Sequence, residues 1–506
     1  MKRADETLLA QIEALASNRK AEIRHSKDEL TITGTAYYVN ADGDDFADGK
    51  TPATAWRTLK RVSSAELQAG DGVFFRRGDI FRGYVEAKTG VTYAAYGQGE
   101  KPKLYGWDTH LADETKWELY DKEQHIWRWK DPILDCGTLV FDGGEKCAKK
   151  LIPSYLGGRF VLRDDPDTPF EISKNMQRDL DMFCRYNARV LTNTPYGESD
   201  SVPLIDRESL GELYLRSDRG NPARVFHDIE ALPSRHMFYV GEHANVRIDN
   251  LCIQYVGAHG IAAWGHVKGL SVTNCEIGWI GGCIQHYNGN DPNYPEGRRG
   301  IVTRFGNGVE IYGGCENYRV ENCYIYQVYD AGITHQITTD GGRYEMNNIF
   351  YLKNVVEDCV YSIEYFLEKT KGDTQSTMSN VVISGNILRR SGYGWGQQRY
   401  NPYTPAHIKS WNYENTAQGF VIEDNVFDRA AYRMLHIVAK EEQSLPSMNG
   451  NTYIQTLSYA LGQFGAYEHG ETEDEMPENI VFDENAERTV AKKVGDKTAK
   501  VYFTDR

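Results

Sequence analysis

Between about residue 245 and residue 440, apolar and polar positions alternate in short runs, and the runs recur. Each unit opens on Asn and closes on Gly-Ile or a near equivalent. Asn250-Leu-Cys-Ile runs to Gly260-Ile261, Asn274-Cys-Glu-Ile to Cys283-Ile284, Asn322-Cys-Tyr-Ile to Gly332-Ile333, and Asn354-Val-Val to Ser362-Ile363. Alternation within a run predicts strands. Self-similarity at roughly 20–50 residues predicts stacked units. No helical period intervenes, so the pattern predicts a parallel β-helix. Equivalent outward positions of successive coils then form columns, and a few polar residues can line a long groove.

The flanks read differently. Leu8, Leu9, Ile12 and Leu15 have helical spacing among charges, which predicts an amphipathic helix within residues 1–34. A solenoid must cover its open apolar end, so this helix is expected to cap it. Residues 35–108 read as the first coils, with strands at Ala36-Tyr-Tyr-Val-Asn and Val91-Thr-Tyr-Ala-Ala-Tyr. The turn cluster Asp42-Gly-Asp-Asp-Phe-Ala-Asp-Gly could hold calcium, although its spacing fits no defined loop. Residues 109–240 lose the Asn-led phrase and carry Trp127-Arg-Trp, Asp164-Asp-Pro-Asp-Thr-Pro and Glu212-Leu-Tyr-Leu-Arg-Ser. They read as an inserted β-rich domain. The main coils with the groove occupy 241–440. Residues 441–506, which include the acidic run Glu471-Thr-Glu-Asp-Glu, form a C-terminal segment or cap.

Composition narrows the partners. The formal charge is -15, and no basic run interrupts it. Nucleic acid is not an expected partner, because phosphate contact needs clustered Lys and Arg. A polyanionic polysaccharide would need a local basic groove. The 33 Tyr and 9 Trp suit sugar-binding surfaces and strands alike. Of nine Cys, Cys252, Cys275, Cys323 and Cys359 fall at or beside repeat positions, as a column of small apolar fillers would. There is no CxxC pair, so zinc is not expected. No stretch is apolar enough to span a membrane. Met1–Ala10 carries no apolar run, so a cytoplasmic location is expected, although a trimmed secreted form would read the same. Oligomeric state is left open.

The repeat places the carboxylates. Aligning the closing strands gives Ile284-Gln285-His286, Val309-Glu310-Ile311, Ile333-Thr334-His335, Ile363-Glu364-Tyr365 and Ile408-Lys409-Ser410. With Ile and Val inward, Gln285, Glu310, Thr334, Glu364 and Lys409 share one outward column. Asp330 sits in the turn before its strand. A lone outward Glu is usually solvated, and Asp before Ala-Gly usually shapes a turn. Three acids on three successive coils are another matter, since like charges on neighbouring rungs repel and functional sites tolerate that cost. Strands about 4.8 Å apart would bring the Asp330 and Glu364 carboxyls to roughly 5–6 Å, a retaining-glycosidase spacing. Glu310 and Glu364, two rungs apart, would lie at about 9–10 Å, an inverting spacing. A like-charged neighbour also raises one pKa, which leaves that acid its proton near neutral pH.

The candidate binding residues are His259, Gln285, Arg304, His335, Gln336, Trp395, Gln398, Arg399, Lys409 and Trp411, on or beside the same coils. His335 alternates inward and is expected to be buried and hydrogen-bonded. Trp and Tyr faces stack on the apolar face of a pyranose. Gly394-Trp-Gly-Gln-Gln-Arg reads as a loop walling the groove, and the excursion from Tyr287 to Phe305 as a second wall. Walls at both ends favour exo action on short chains.

Several phrases carry a resemblance. Arg304-Phe-Gly-Asn-Gly-Val-Glu-Ile-Tyr-Gly, Val320-Glu-Asn-Cys and Gln327-Val-Tyr-Asp-Ala-Gly-Ile-Thr-His-Gln resemble the central coils of carbohydrate-active right-handed parallel β-helix proteins of the pectate-lyase-like superfamily. Asp42-Gly through Gly49-Lys-Thr-Pro and Ala55-Trp-Arg-Thr-Leu to Ala69-Gly-Asp-Gly-Val resembles their first coils. Leu213-Tyr-Leu-Arg-Ser-Asp-Arg-Gly-Asn-Pro-Ala is also similar to a phrase in them. The resemblance covers most of the chain and is greatest to the glycoside hydrolases. It implies a β-sandwich inserted near the N-terminal coils, Asp330 as nucleophile or base, Glu364 as acid and Glu310 as an auxiliary. Three functions stay open. A glycoside hydrolase needs only the acids and no cofactor. A polysaccharide lyase would use Lys409 or Arg399 as base, with the acids holding calcium. A non-catalytic carbohydrate-binding or tailspike-like module needs neither. A glycan-forming transferase on the same two carboxylates is also compatible.

Overall fold

Ile261, Val309, Ile333, Ile363, Ile408 and Leu435 follow one another in parallel register, each at most 1% exposed. Burial of this ladder is what stacks the coils. The computed structural model describes residues 2–27, 31–156, 159–185, 210–288, 301–370, 372–373, 375–399, 404–467 and 476–505. They form a parallel β-helix with an inserted β-rich region. The strands that carry the ladder are β1 (Ile261–Lys268), β2 (Val309–Glu321), β3 (Ala331–Thr338), β4 (Tyr361–Glu368), β5 (Ala406–Ser410) and β6 (Arg433–Ala439), with β7 (Ala460–Ala466) beyond them. A second parallel sheet runs from Cys252–Val256 through Glu276–Ile280, Tyr324–Val328 and Val355–Glu357 to Lys500–Thr504.

One rung of the expected ladder is missing. Ile284 lies in Cys283–Asn288, which pairs antiparallel with Ile301–Phe305 instead of entering the sheet. Gly281 and Gly282, at φ 96° and 85°, turn the chain outward just before it. Ile284 then packs into the core of the inserted region with Leu139, Met182 and Leu213. Strand β1 pairs directly with β2.

The Asn that opens each unit has two uses. Asn250, Asn274 and Asn322 adopt φ of 63°, 53° and 52°, the left-handed bend that Asn tolerates best among residues with a Cβ. Further along, Asn354, Asn386, Asn425 and Asn451 point inward. Each backbone N–H donates to the next side-chain oxygen, at 2.9, 2.9 and 3.0 Å. The thiols behave as fillers. Cys275 stacks on Cys323, its N–H 3.4 Å from the Cys323 sulfur. All nine Cys are free. Cys252 sits one position further on, beside Glu276, while Leu251 takes the inward place.

The helix expected as a cap spans Glu6–Arg24, with Asp5 accepting from the Leu8 N–H. It lies along a flank of the second sheet. Arg24 pairs with Glu276 and Lys20 with Glu357, both at 2.9 Å, while Ala4 and Ile12 pack on Ile454. Nineteen residues at 1.5 Å make about 28 Å, which matches six strand spacings of about 4.8 Å. The inserted region contains a five-stranded sheet, with Trp117–Asp121, Ile126–Trp129, Asp181–Arg185 and Glu212–Arg216 among its strands. A three-stranded sheet is built on Cys136–Phe141. In the turn cluster, Asp45 accepts from the Arg57 and Thr58 N–H groups and Asp48 from that of Lys50, so these carboxylates shape the turn.

Candidate active site

Strand pairing sets one polar column. Ala262, Glu310, Thr334, Glu364, Lys409, His436 and Gln463 follow one another from β1 to β7. The expected order of Glu310, Thr334, Glu364 and Lys409 is present. Gln285 is not among them, because its strand has left the sheet for the hairpin. The column faces away from the ladder, yet its charged members are buried: Glu364 is 4% exposed and Lys409 3%.

The three acids have three different environments. Asp330, in the turn before β3, forms an ion pair with Arg399, whose guanidinium lies 5.7 Å from the Tyr361 ring centre. Burial pushes the Asp330 carboxyl upward and Arg399 opposes it. Glu364 accepts from the Trp411 indole N–H. Burial, reinforced by the Asp330 charge, pushes Glu364 up to about 8. Glu310 accepts from Asn307 Nδ2 at 2.8 Å and Gln336 Nε2 at 3.3 Å, and its carboxylate meets His259 Nδ1. Burial alone would raise Glu310, but His259 and these donors hold it below the usual carboxylate range.

Beyond Glu364 the column turns basic. Lys409 Nζ sits 4.1 Å from the Trp411 ring centre and 3.5 Å from His436 Nδ1. Arg433 donates to Gln463 at 2.8 Å, and its Nε has no partner. No ion pair joins Lys409 or Arg433 to a carboxylate among the described residues. Burial, with Arg433 adding to it, pushes the Lys409 ammonium down to about 6.

Other candidates fall into place around this column. His259, Gln336, Arg399, Lys409 and Trp411 touch the acids or one another. His335 lies on the core side at 0% exposure, bonded to Tyr351 Oη at 2.7 Å, which removes it from any groove. Arg304 is a brace: it donates to the Gly282 and Gly137 carbonyls at 2.6 and 3.0 Å and covers the Tyr329 ring. Trp395 is 4% exposed, donates to the Gln327 carbonyl at 2.7 Å and stacks near Trp279, so it anchors its loop and offers no open face. Gln398 donates to the Ala148 carbonyl at 2.9 Å, tying that loop to the inserted region. The segment 394–399 is thus anchored to the coils and to the inserted region, with Arg399 beside Asp330. Most of the second expected wall, residues 289–300, lies outside the described residues.

Three site residues carried no weight in the sequence reading. Asn307 donates to Glu310 and accepts from the Ala331 N–H at 2.8 Å, so it couples the Glu310 coil to the strand that follows Asp330. Its signal was the Gly306-Asn307-Gly308 turn. His436 would have emerged by carrying the register one coil further, to Leu435-His436-Ile437. Arg433 follows an exposed Tyr432 and shows no periodic sign. Among the described residues, no three His, Cys, Asp or Glu side chains converge as metal ligands would.

No protein-family model matches the chain, and no curated protein matches it. Among solved structures, it is similar to the GH136 lacto-N-biosidase from Eubacterium ramulus, with 12% identity over 98% of this chain and 71% of that one, TM-score 0.37. XylC in complex with xylose shows 11% identity over 88% of this chain and 73% of that one, TM-score 0.38. The Yersinia enterocolitica family 28 exopolygalacturonase shows 10% identity over 94% and 78%, TM-score 0.31. Glycoside hydrolases are thus among its structural neighbours. One fold hosts many activities, so the choice of function rests on the side chains of the column.

Proposed function

We propose that the protein is a glycoside hydrolase acting on an oligo- or polysaccharide through Asp330 and Glu364. The observation that carries this reading is the contrast between two buried acids on adjacent coils. Asp330 faces a guanidinium, which stays charged and favours the carboxylate. Glu364 accepts from a neutral indole N–H, and there burial and the Asp330 charge outweigh the pull of Arg399 and Lys409. A single proton therefore settles on Glu364. Glu364 would donate it to the glycosidic oxygen as the bond to the anomeric carbon breaks. Asp330 would attack that carbon or deprotonate a water, and Glu364, then anionic, would accept the next proton. The direct action of the Asp330 charge on Glu364 supports the retaining variant, in which the two carboxyls lie close together. Glu310, held ionised by His259 and Asn307, serves as an auxiliary that orients a sugar hydroxyl. The 394–399 loop beside Asp330 supports exo action. Carbohydrate is the partner this reading requires.

A second reading is favoured by one observation. Lys409, pushed down to about 6, is a neutral amine at pH 7 and so a possible base for a polysaccharide lyase acting on a uronate. A panel of aryl glycosides, run beside uronate polymers with and without EDTA, separates the two. Hydrolysis of a glycoside, indifferent to EDTA, is expected. Calcium-dependent release of an unsaturated uronate, with no glycoside cleaved, would overturn the hydrolase.

A further inference from the structure

Two residues along the strands from the acidic column, on the same outward face, lies a second column. Pairing places Trp264 beside Tyr312, Tyr312 beside Gln336, and Gln336 beside Phe366. Alternation turns these side chains outward, as it does Ala262, Glu310, Thr334 and Glu364. Two rings are unusually open for their size: Trp264 is 41% exposed and Tyr312 39%. Singly exposed aromatics need no explanation. These are adjacent, aligned and held.

Each ring is seated. The Trp264 indole lies against Gly241, where a Cβ would come within 3.2 Å of the ring, and Gly241 has φ 55°. A side chain there would crowd the indole by a few tenths of an ångström. The Tyr312 hydroxyl accepts from the Thr338 N–H at 3.4 Å, which draws its ring toward β3. Phe366 packs edge-on against Tyr413 at 5.2 Å. Between the rings, Gln336 donates to Glu310 at 3.3 Å, so the aromatic column is bonded to the acidic one. Held aromatic faces lose little conformational freedom on binding and match the apolar face of a pyranose.

We propose that Trp264, Tyr312 and Phe366 form a binding platform for the sugar rings of an oligosaccharide beyond the ring whose bond is cleaved. This rests on the glycoside hydrolase reading and adds to it a preference for chains of three or more rings. The platform runs across three strand spacings, about 14 Å, which is longer than one sugar. Continuity with the acidic column through Gln336 is what selects a saccharide as the occupant over a protein surface.

Two measurements test it. An array of neutral and acidic oligosaccharides of one to five rings is probed with the Glu364→Gln variant, which binds without turnover. Affinity should rise at least tenfold from one ring to three. The same protein carrying Trp264→Ala and Tyr312→Ala should lose that gain while keeping its single-ring affinity and its melting temperature. With wild-type Glu364, the Trp264→Ala and Tyr312→Ala pair should raise KM about tenfold or more for the best oligosaccharide. Turnover of an aryl monoglycoside should be unchanged. No rise of affinity with chain length, no binding to any oligosaccharide, or an intact rise in the double variant would each overturn the platform. Chain-length-dependent binding with no turnover of any glycoside would leave it standing and remove the hydrolase reading instead.

Discussion

Two columns of buried polar side chains climb this solenoid, and they are built on opposite rules. The inner column, Asn354, Asn386, Asn425 and Asn451, repeats one residue type. Each side-chain oxygen takes a backbone N–H from the previous coil, and each Nδ2 donates back to a carbonyl of that coil, with Asn354, Asn386 and Asn425 also donating to the next Asn. The outer column, Glu310, Thr334, Glu364, Lys409 and His436, repeats nothing. Acids stand near acids, and Lys409 has no ion-pair partner among the described residues. A fully satisfied polar network specifies a structure, whereas a partly satisfied one costs stability. The first column is therefore what the fold uses to fix its register. The second is a cost that fits the catalytic role proposed for it.

If so, the two columns should fail in different ways. The largest effect belongs to the outer one. Glu364→Gln and Asp330→Asn are isosteric; the first should leave the melting temperature within about a degree, and the second should fold with a melting temperature lowered by several degrees, because Arg399 loses its anion. Each should lower kcat/KM on a cleaved glycoside by roughly a hundred- to ten-thousand-fold. Near-normal turnover in Asp330→Asn would make Asp330 a turn-former only, since Asn makes the same local bonds. It would also move the pair to Glu310 and Glu364, whose coils stand two rungs or about 10 Å apart, an inverting separation. In the retaining case, azide should partly rescue Asp330→Ala on an activated substrate.

A smaller effect on the same column is its pH profile. Glu364 is raised to about 8, so it holds its proton below that value and loses it as pH rises through it. The kcat/KM on glycosides should fall about tenfold per pH unit above 8. That limb should vanish from the residual activity of Glu364→Gln. A flat profile to pH 9.5 would show that Glu364 is not the acid.

The inner column predicts the converse. Asn386→Ala removes the acceptor of the Asn354 N–H and the donor to the Tyr351 carbonyl, all buried. Leaving such groups unpaired should cost about 3 kcal/mol of unfolding free energy, read by denaturant titration. Turnover per folded molecule should stay within twofold. A variant as stable as wild type would deny the ladder its structural role.

Why one column was legible and the other only in part follows from the same contrast. Repetition shows in a sequence. The recurring Asn and the inward Ile and Val marked the coils, and β-strand alternation then put Glu310, Thr334, Glu364 and Lys409 in order before any coordinates. Where the chain broke the repeat, the register misled. Gly281-Gly282 turned Ile284 and Gln285 out into a hairpin, and a two-residue period cannot announce that. What covers the column was invisible as well. Arg399, Trp411 and His259 come from loops and corners, and their approach to the acids is set by tertiary packing. Trp395 and Arg304 looked like groove residues because they are aromatic or charged. The structure uses both as braces, one to the Gln327 carbonyl and the other to Gly282 and Gly137.

The smallest predicted effect is also the one with the sign that separates the columns. Lys409 is 3% exposed with no ion-pair partner among the described residues, so its stem belongs to the packing and its charge does not. Lys409→Met keeps the stem and deletes the charge. At pH 7 the fold must hold this amine without its proton, and an apolar group of similar volume avoids that cost, so the variant should be more stable by about 1 kcal/mol. The sign with pH follows from the depressed value of about 6. Below it, the folded chain carries a buried ammonium. Between it and the ordinary lysine value, the folded chain gives up a proton that the unfolded chain keeps, so wild-type stability climbs as pH rises. The advantage of Lys409→Met should therefore be greatest near pH 5 and shrink toward pH 10, with activity lost throughout if the amine holds substrate. A variant less stable than wild type at pH 5 would mean that Lys409 is satisfied within the fold. The outer column would then be, like the inner one, a structural device.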